Sequence, residues 1–328
     1  VCGPERPPAP DLDALPMPAH HLLESACYRT WSLSSSRGCP HRCTFCSIRS
    51  LYGGTVRMRS AGSLAVEIRL LVGRGSRRIL FTDDNFTMDG RRIRELCDAM
   101  IGGGLNRGVV YYAQGRIDDL CRTPLMAGML REAGFRALYI GAESGSQEIL
   151  NAYRKGIHPE DVLRGVSLCV EQDLTPVVNF ILLGPLDTPE TVVETIRLAK
   201  RIFESGAEIA YTEAVVPYPG TPLREELRRD GLLRETGGME HFAPRRGLEP
   251  ERFFLLCDLA RDMNRLVNGG DPLYEARRVY YDLEFLQFLL RREIPPAFAK
   301  LCRATGPDDP SEAAREMRLV ERRVREVI

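Results

Sequence analysis

Three cysteines fall within one short stretch, Ser36-Arg37-Gly38-Cys39-Pro40-His41-Arg42-Cys43-Thr44-Phe45-Cys46. Thiolate sulfur is a soft donor, and three thiolates at Cys-x3-Cys-x2-Cys spacing can converge on one soft metal centre. Zinc is one candidate. It prefers four closed ligands, usually two separated cysteine pairs, and here His41 would have to be the fourth. An iron–sulfur cluster is the other. A four-iron cube normally takes four thiolates, so Cys39, Cys43 and Cys46 alone would leave one iron open to a reactant, as catalytic metal sites do. The remaining seven of the ten cysteines are scattered, and read as small buried hydrophobes rather than a second metal group or a disulfide framework.

The cysteine loop must be carried by something rigid. It directly follows the first of six β-rich runs, Tyr28–Ser35, Arg78–Asp83, Val109–Gln114, Ala137–Ala142, Pro176–Leu183 and Ile209–Val216. Helical patterns lie between them, at Ser63–Val72, Gly90–Met100, Pro124–Ala133, Pro159–Glu171 and Pro189–Ser205. Such alternation predicts parallel β/α units with right-handed crossovers. Strand parity selects a barrel over a doubly wound sheet. Leu138, Ile140 and Ala142 share one face of the fourth run, while Tyr139 and Glu143 share the other. Tyr112, Gln114 and Arg116, then Asn179, then Tyr211 and Glu213 continue a face too polar for an ordinary buried parallel strand. The expectation is an α/β fold: a partial (β/α)6 TIM-like barrel with a ligand-holding lumen. Three regions are expected: a proline-rich linker over 1–27, the barrel over 28–235, and a helical region over 236–328. In the last, Glu249–Asn268, Pro272–Arg292 and Ser311–Val327 read as helices, with Tyr280, Tyr281 and Phe285 closing the barrel's open side.

Composition narrows the partners. In 328 residues, 45 basic side chains balance 45 acidic ones. That lacks the basic excess of a nucleic-acid binder. No apolar run nears the ~20 residues that span a bilayer, and Val1–Pro18 lacks the pattern of a secretory signal. The expected setting is the cytoplasm, with a small-molecule substrate and neither nucleic acid nor membrane.

The loop, with Phe45 before its last cysteine, resembles the radical S-adenosylmethionine (SAM) superfamily. The resemblance covers roughly residues 28–230 and implies that Cys39, Cys43 and Cys46 hold a [4Fe–4S] cluster whose open iron chelates SAM. It also implies a reducing partner such as flavodoxin or ferredoxin. Electron transfer would cleave SAM to methionine and a 5′-deoxyadenosyl radical that abstracts hydrogen from substrate. Further residues fall at strand ends, where β/α barrels build active sites. By resemblance, Phe45 lies at the cofactor; Asp84, in Thr82-Asp83-Asp84-Asn85-Phe86, lies by the SAM amino group; and Glu143, in Gly141-Ala142-Glu143-Ser144-Gly145-Ser146, accepts from the ribose hydroxyls beside Ser144. Lys155, or its neighbour Arg154, pairs with the SAM carboxylate, and Arg116 is a further cofactor contact. Gly184 allows close backbone approach, and Tyr218 lies in the segment that closes over adenine. Tyr112, Tyr211 and Glu213 are the candidates for contact with substrate or for hydrogen transfer.

Residues Pro10–Leu23 and the barrel motifs also resemble the cobalamin-binding subgroup, rich in methyltransferases of antibiotic pathways. Its Asp-x-His-x-x-Gly cobalt-ligand motif is missing, and neither His20 nor His21 supplies it. Direct radical chemistry without cobalamin is therefore the first expectation, covering oxidation, decarboxylation, epimerisation or rearrangement. The alternative is a cobalamin-dependent methyltransferase whose cobalamin domain lies outside this sequence. A non-catalytic metal-binding module is the third reading.

Overall fold

Short polar caps followed by proline set several helix starts. At Thr188-Pro189 and Thr221-Pro222 the threonine hydroxyl accepts a first-turn N–H while proline occupies the first turn, where its missing donor costs nothing. His158-Pro159 opens a third helix, again with proline in the first turn, and Asp161 accepts from the His158 N–H. In the computed structural model, which describes residues 9, 11–24, 28–236 and 239–242, the helices are α1 (Ile48–Tyr52), α2 (Ala61–Gly73), α3 (Gly90–Gly102), α4 (Ile117–Arg122), α5 (Met126–Glu132), α6 (Gln147–Ala152), α7 (Pro159–Val170), α8 (Pro189–Glu204) and α9 (Pro222–Arg229).

Six strands, β1 (Trp31–Leu33), β2 (Arg78–Phe81), β3 (Val110–Gly115), β4 (Phe135–Glu143), β5 (Thr175–Leu183) and β6 (Glu208–Ala214), form one parallel sheet in strictly sequential order. A doubly wound sheet reverses its order at a switch point. Sequential order with crossovers of one hand keeps the helices on one face and rolls the sheet. This is the expected partial barrel, and among the described residues it is open, since β1 and β6 do not pair. β1 is shorter than the expected Tyr28–Ser35, because Ser35 and Ser36 leave the ladder to bond Asp83. The helix expected over Pro124–Ala133 is α5, and α4, too short to show a period, precedes it. The C-terminal helices expected from Glu249 onward, with Tyr280, Tyr281 and Phe285, lie outside the described residues.

The sheet's outer face carries Ile79, Phe81, Tyr111, Ala113, Leu138 and Ile140 into the helix layer, all fully buried. Phe81, Phe86, Tyr111 and Phe135 form a ring cluster there, with centroids 4.8–6.2 Å apart. Burial of this face is the main stabilising term. Residues 11–24 lie along α2: Leu12 is buried, both Asp13 carboxylate oxygens accept from the Ser60 N–H, and His20 Nε2 meets Glu67 Oε1 at 2.8 Å. Among the described residues, no helix is long and apolar enough to cross a membrane.

The loop between β5 and α8 is held by one buried carboxyl. Asp187 accepts from the Gly184 N–H at 2.6 Å and from the Thr191 hydroxyl at 2.8 Å. Burial is the larger influence and pushes its pKa from 3.8 up to about 7. Below about pH 4 the folded and unfolded chains both hold this proton. Between there and neutrality only the folded chain does, so the contribution to stability is progressively lost as pH rises through that window. Asp187→Asn keeps an acceptor for Gly184 and cannot ionise. Its Tm should change less than the wild-type Tm between pH 5 and 8 and exceed it at pH 8; equal slopes in a thermal-melt series would refute this. A second expectation concerns Gly145, where an added Cβ would strike the Glu194 and Thr195 backbone of α8. Gly145→Ala should cost about 1–3 kcal/mol, read as a lower denaturation midpoint.

Candidate active site

The cysteine loop is fixed before any metal is considered. Gly38 has φ +92°, and a side chain there would run into the Thr55 carbonyl oxygen, so only glycine can deliver Cys39 to its place. The Gly38 N–H donates to Asp84 Oδ2 at 2.8 Å. Asp83 is buried and accepts from the Ser35 N–H at 3.0 Å and from the Ser35 and Ser36 hydroxyls. Burial raises the Asp83 pKa, and these hydrogen bonds pull against it. Arg92 donates to the Ser35 carbonyl at 2.9 Å. Thr44, between Cys43 and Phe45, ties the loop across the rim. Its N–H donates to the Tyr153 carbonyl and its carbonyl accepts from Leu223 of α9, each at 2.9 Å. Phe45 packs edge-on to Tyr153 with centroids 5.1 Å apart.

Cys39, Cys43 and Cys46 are free thiols, each half-buried. Burial raises the pKa of Cys39 and of Cys46, while Arg116 acts on the former and Lys155 on the latter in the opposite sense. Metal binding must deprotonate such thiols, and the nearby cations favour the resulting negative charge. A tetrahedral zinc with sulfur at about 2.3 Å needs sulfurs roughly 3.8 Å apart. Among the described residues the three sulfurs form no set drawn within 4.8 Å. His41 groups instead with Asp118 and Asp119. Those carboxylates are already answered, Asp118 by Arg116 and Arg122, Asp119 by Arg122, Asn85 and Thr87. The donor set therefore fits a wide iron–sulfur cluster with three protein ligands better than a single Cys3His zinc.

The cations come from the strand ends. Arg116 follows β3 directly and is 5% exposed. Its NH1 lies 3.7 Å from Cys43 Sγ, its NH2 donates to the Lys155 carbonyl at 2.5 Å, and its Nε donates to Asp118 Oδ1 at 2.9 Å. Burial works against its charge, but Asp118 and Cys43 outweigh it and the pKa rises. Lys155 Nζ pairs with Glu143 Oε1 at 2.6 Å, both side chains nearly buried. Glu143 has φ +66° at a register shift between β4 and β5. A non-glycine residue in that region costs about 1 kcal/mol or more and persists only where surroundings impose it. The left-handed turn, at the bulge, aims this carboxylate at Lys155. Ser144 is spent locally, its hydroxyl bonded to Thr195 Oγ1 at 2.9 Å and accepting from the Ser146 N–H.

The inner wall is as polar as parity requires. Gln114 and Tyr139 are exposed there, the latter by 39%, while Tyr112 packs on Ala137 and Val177. Gly184 faces the Tyr153 hydroxyl so closely that a Cβ could not fit. Tyr218 is half-exposed on the turn that leads to Thr221, the cap of α9. The backbone of β6 pairs with β5 through Tyr211, but the side chains of Tyr211 and Glu213 lie outside the described residues. The structure thus brings the cysteines, Phe45, Asp84, Arg116, Glu143 and Lys155 to one rim. It adds Thr44, Asp83 and Tyr153, which sequence reading did not single out. The adjacent acids Asp83-Asp84 after a strand were the available signal.

Residues 33–199 match the Radical SAM superfamily. An uncharacterized methyltransferase of Pyrococcus horikoshii is 30% identical over 70% of this chain and 50% of its own length. The hopanoid C-2 methylase of Rhodopseudomonas palustris is 28% identical over 68% of this chain and 42% of its own. The anaerobic magnesium-protoporphyrin IX monomethyl ester cyclase of Cereibacter sphaeroides is 29% identical over 64% and 34%. The chain therefore spans half or less of these curated relatives. The solved structure of the cobalamin-dependent SAM radical enzyme OxsB shares the fold, with a TM-score of 0.65 at 18% identity over 90% of this chain and 54% of that one. With the three-thiol loop seated at the rim of an open parallel barrel and half the sequence matching, the chain belongs to the radical SAM superfamily, enzymes that work with a [4Fe–4S] cluster and SAM.

Proposed function

We propose that this radical SAM enzyme methylates a small molecule, together with a cobalamin held outside the described residues. The observation that carries this reading is the description of the relatives, since the first two are a methyltransferase and a methylase. Neither linker histidine lies in a cobalt-ligand motif, and His20 is in addition buried, its ring tied to Glu67 and edge-on to Trp31. Direct radical chemistry is the second reading, favoured by the cyclase among the relatives.

When bound and reduced, the cluster supplies the electron that breaks a carbon–sulfur bond of SAM. The chain's residues do the rest. Cys39, Cys43 and Cys46 hold the cluster. Lys155 takes the SAM carboxylate in a charge-assisted contact, and Glu143 accepts from the ribose hydroxyls. Those two side chains now answer one another at 2.6 Å, so SAM replaces a buried ion pair with two complementary contacts. Asp84 holds Gly38, leaving backbone at this corner to receive the amino group. Phe45, Gly184 and Tyr218 border the adenosine and limit water. Tyr112, on the inner wall beside Ala137 and Val177, is the described candidate for contact with substrate. A reductant completes the system.

Anaerobically reconstituted protein given SAM, dithionite and hydroxocobalamin should form both S-adenosylhomocysteine and 5′-deoxyadenosine. 5′-Deoxyadenosine alone at every cobalamin concentration would shift the assignment to direct radical chemistry. Replacing any of Cys39, Cys43 or Cys46 by alanine should remove most of the iron and abolish both products. Lys155→Met should weaken SAM binding tenfold or more, about 1.4 kcal/mol, with a smaller loss for Glu143→Gln; unchanged affinity in an equilibrium titration would remove both from the SAM site.

A further inference from the structure

The Arg116 guanidinium is buried and wholly engaged with groups of the chain itself, one of them a cysteine of the metal loop. Its three donor nitrogens reach three different groups: the Cys43 sulfur at 3.7 Å, the Lys155 carbonyl at 2.5 Å and Asp118 Oδ1 at 2.9 Å. The first holds the cluster, and the second is the backbone of the lysine assigned to the SAM carboxylate. We propose that Arg116 is a positioning residue that raises the reduction potential of the cluster through Cys43 and locks Lys155 in register with it. This rests on the reading that Cys39, Cys43 and Cys46 carry the cluster.

The physical reason is charge. Reduction adds an electron to a site already made negative by thiolates. A guanidinium held beside one ligand sulfur, in surroundings that exclude most water, stabilises the reduced form more than the oxidised one. Hydrogen bonds to cluster sulfurs and net local charge are the protein's ordinary means of setting such potentials. Arginine suits the position because its planar fork can serve three acceptors in fixed directions while staying charged. Two features hold the fork in place. The Arg116 N–H donates to Thr87 Oγ1 at 3.0 Å, fixing the backbone, and Asp118 orients Nε. Asp118 also has Arg122, at 3.2 Å, so losing Arg116 does not strand its charge.

The test uses full-length reconstituted protein and two variants. Arg116→Met removes charge and donors at similar volume. Arg116→Lys keeps the charge but cannot span three acceptors. The readouts are iron content, the midpoint potential from an electron paramagnetic resonance (EPR)-monitored redox titration, and the SAM concentration that half-converts the reduced cluster's signal. In Arg116→Met the midpoint should fall by at least a tenfold change in the reduction equilibrium, 59 mV for one electron, and the half-conversion concentration should rise several-fold. Arg116→Lys should fall between this variant and wild type on the first readout. Wild-type midpoints in both iron-loaded variants overturn the proposal. If Arg116→Met loses its iron, a wild-type midpoint in Arg116→Lys overturns it alone. Iron loss from both shows a holding role in place of a tuning one and also overturns it. Wild-type protein without four irons would instead sink the cluster assignment beneath it.

Discussion

Three thiols must be presented together at one end of a cylinder, and the loop that presents them has almost no secondary structure of its own. Everything near it compensates. Asp83 and Asp84 accept the serine hydroxyls and backbone N–H groups at its start. Thr44 pins it to the C-terminal end of α6 and to α9. Such a loop can be rigid because its polar groups are satisfied, which is the condition for burying irregular backbone at all. The apolar outer face supplies the stability, and the rim spends part of it on a left-handed glutamate and a buried ion pair.

Much of this could be read from residue order. The cysteine spacing, the proline-marked helix starts and the two-residue parity of the strands are local signals, and each has a direct physical meaning. Leu138, Ile140 and Ala142 are fully buried while Tyr139 on the opposite face is open, as alternation requires. Less local features were not readable. Parity put Arg116 on the same face as Tyr112 and Gln114, yet it sits just past the strand end, where alternation stops governing direction. Ser144 stands in a strand-end motif beside Glu143, but its hydroxyl is consumed by Thr195, 51 positions away. Asp84 is turned to Gly38 by a partner 46 positions distant. Which polar groups at a rim remain free depends on how they satisfy one another, and a linear pattern does not record that.

Under the proposed assignment, the same mutual satisfaction would let the site be specific and still receive its reactants. Lys155 and Glu143 neutralise each other, so neither carries an uncompensated charge into a nearly buried corner. A molecule bearing both a carboxylate and hydroxyl groups can take each partner in turn, whereas one bearing only a carboxylate would leave Glu143 without its cation. Discrimination follows from the penalty for an unpaired buried group more than from the attraction of the right one.

Among the described residues the two outer strands of the sheet do not meet, yet the cysteine loop, with α1 behind it, meets the start of α9 through Thr44 and Leu223 and through Ser50 and Gly220. The enclosure resembles a cuff buckled at one hem and unfastened down its seam. On the proposed reading, a small nucleoside would be gripped under the buckle, and a second reactant would approach along the unfastened length of the described strands.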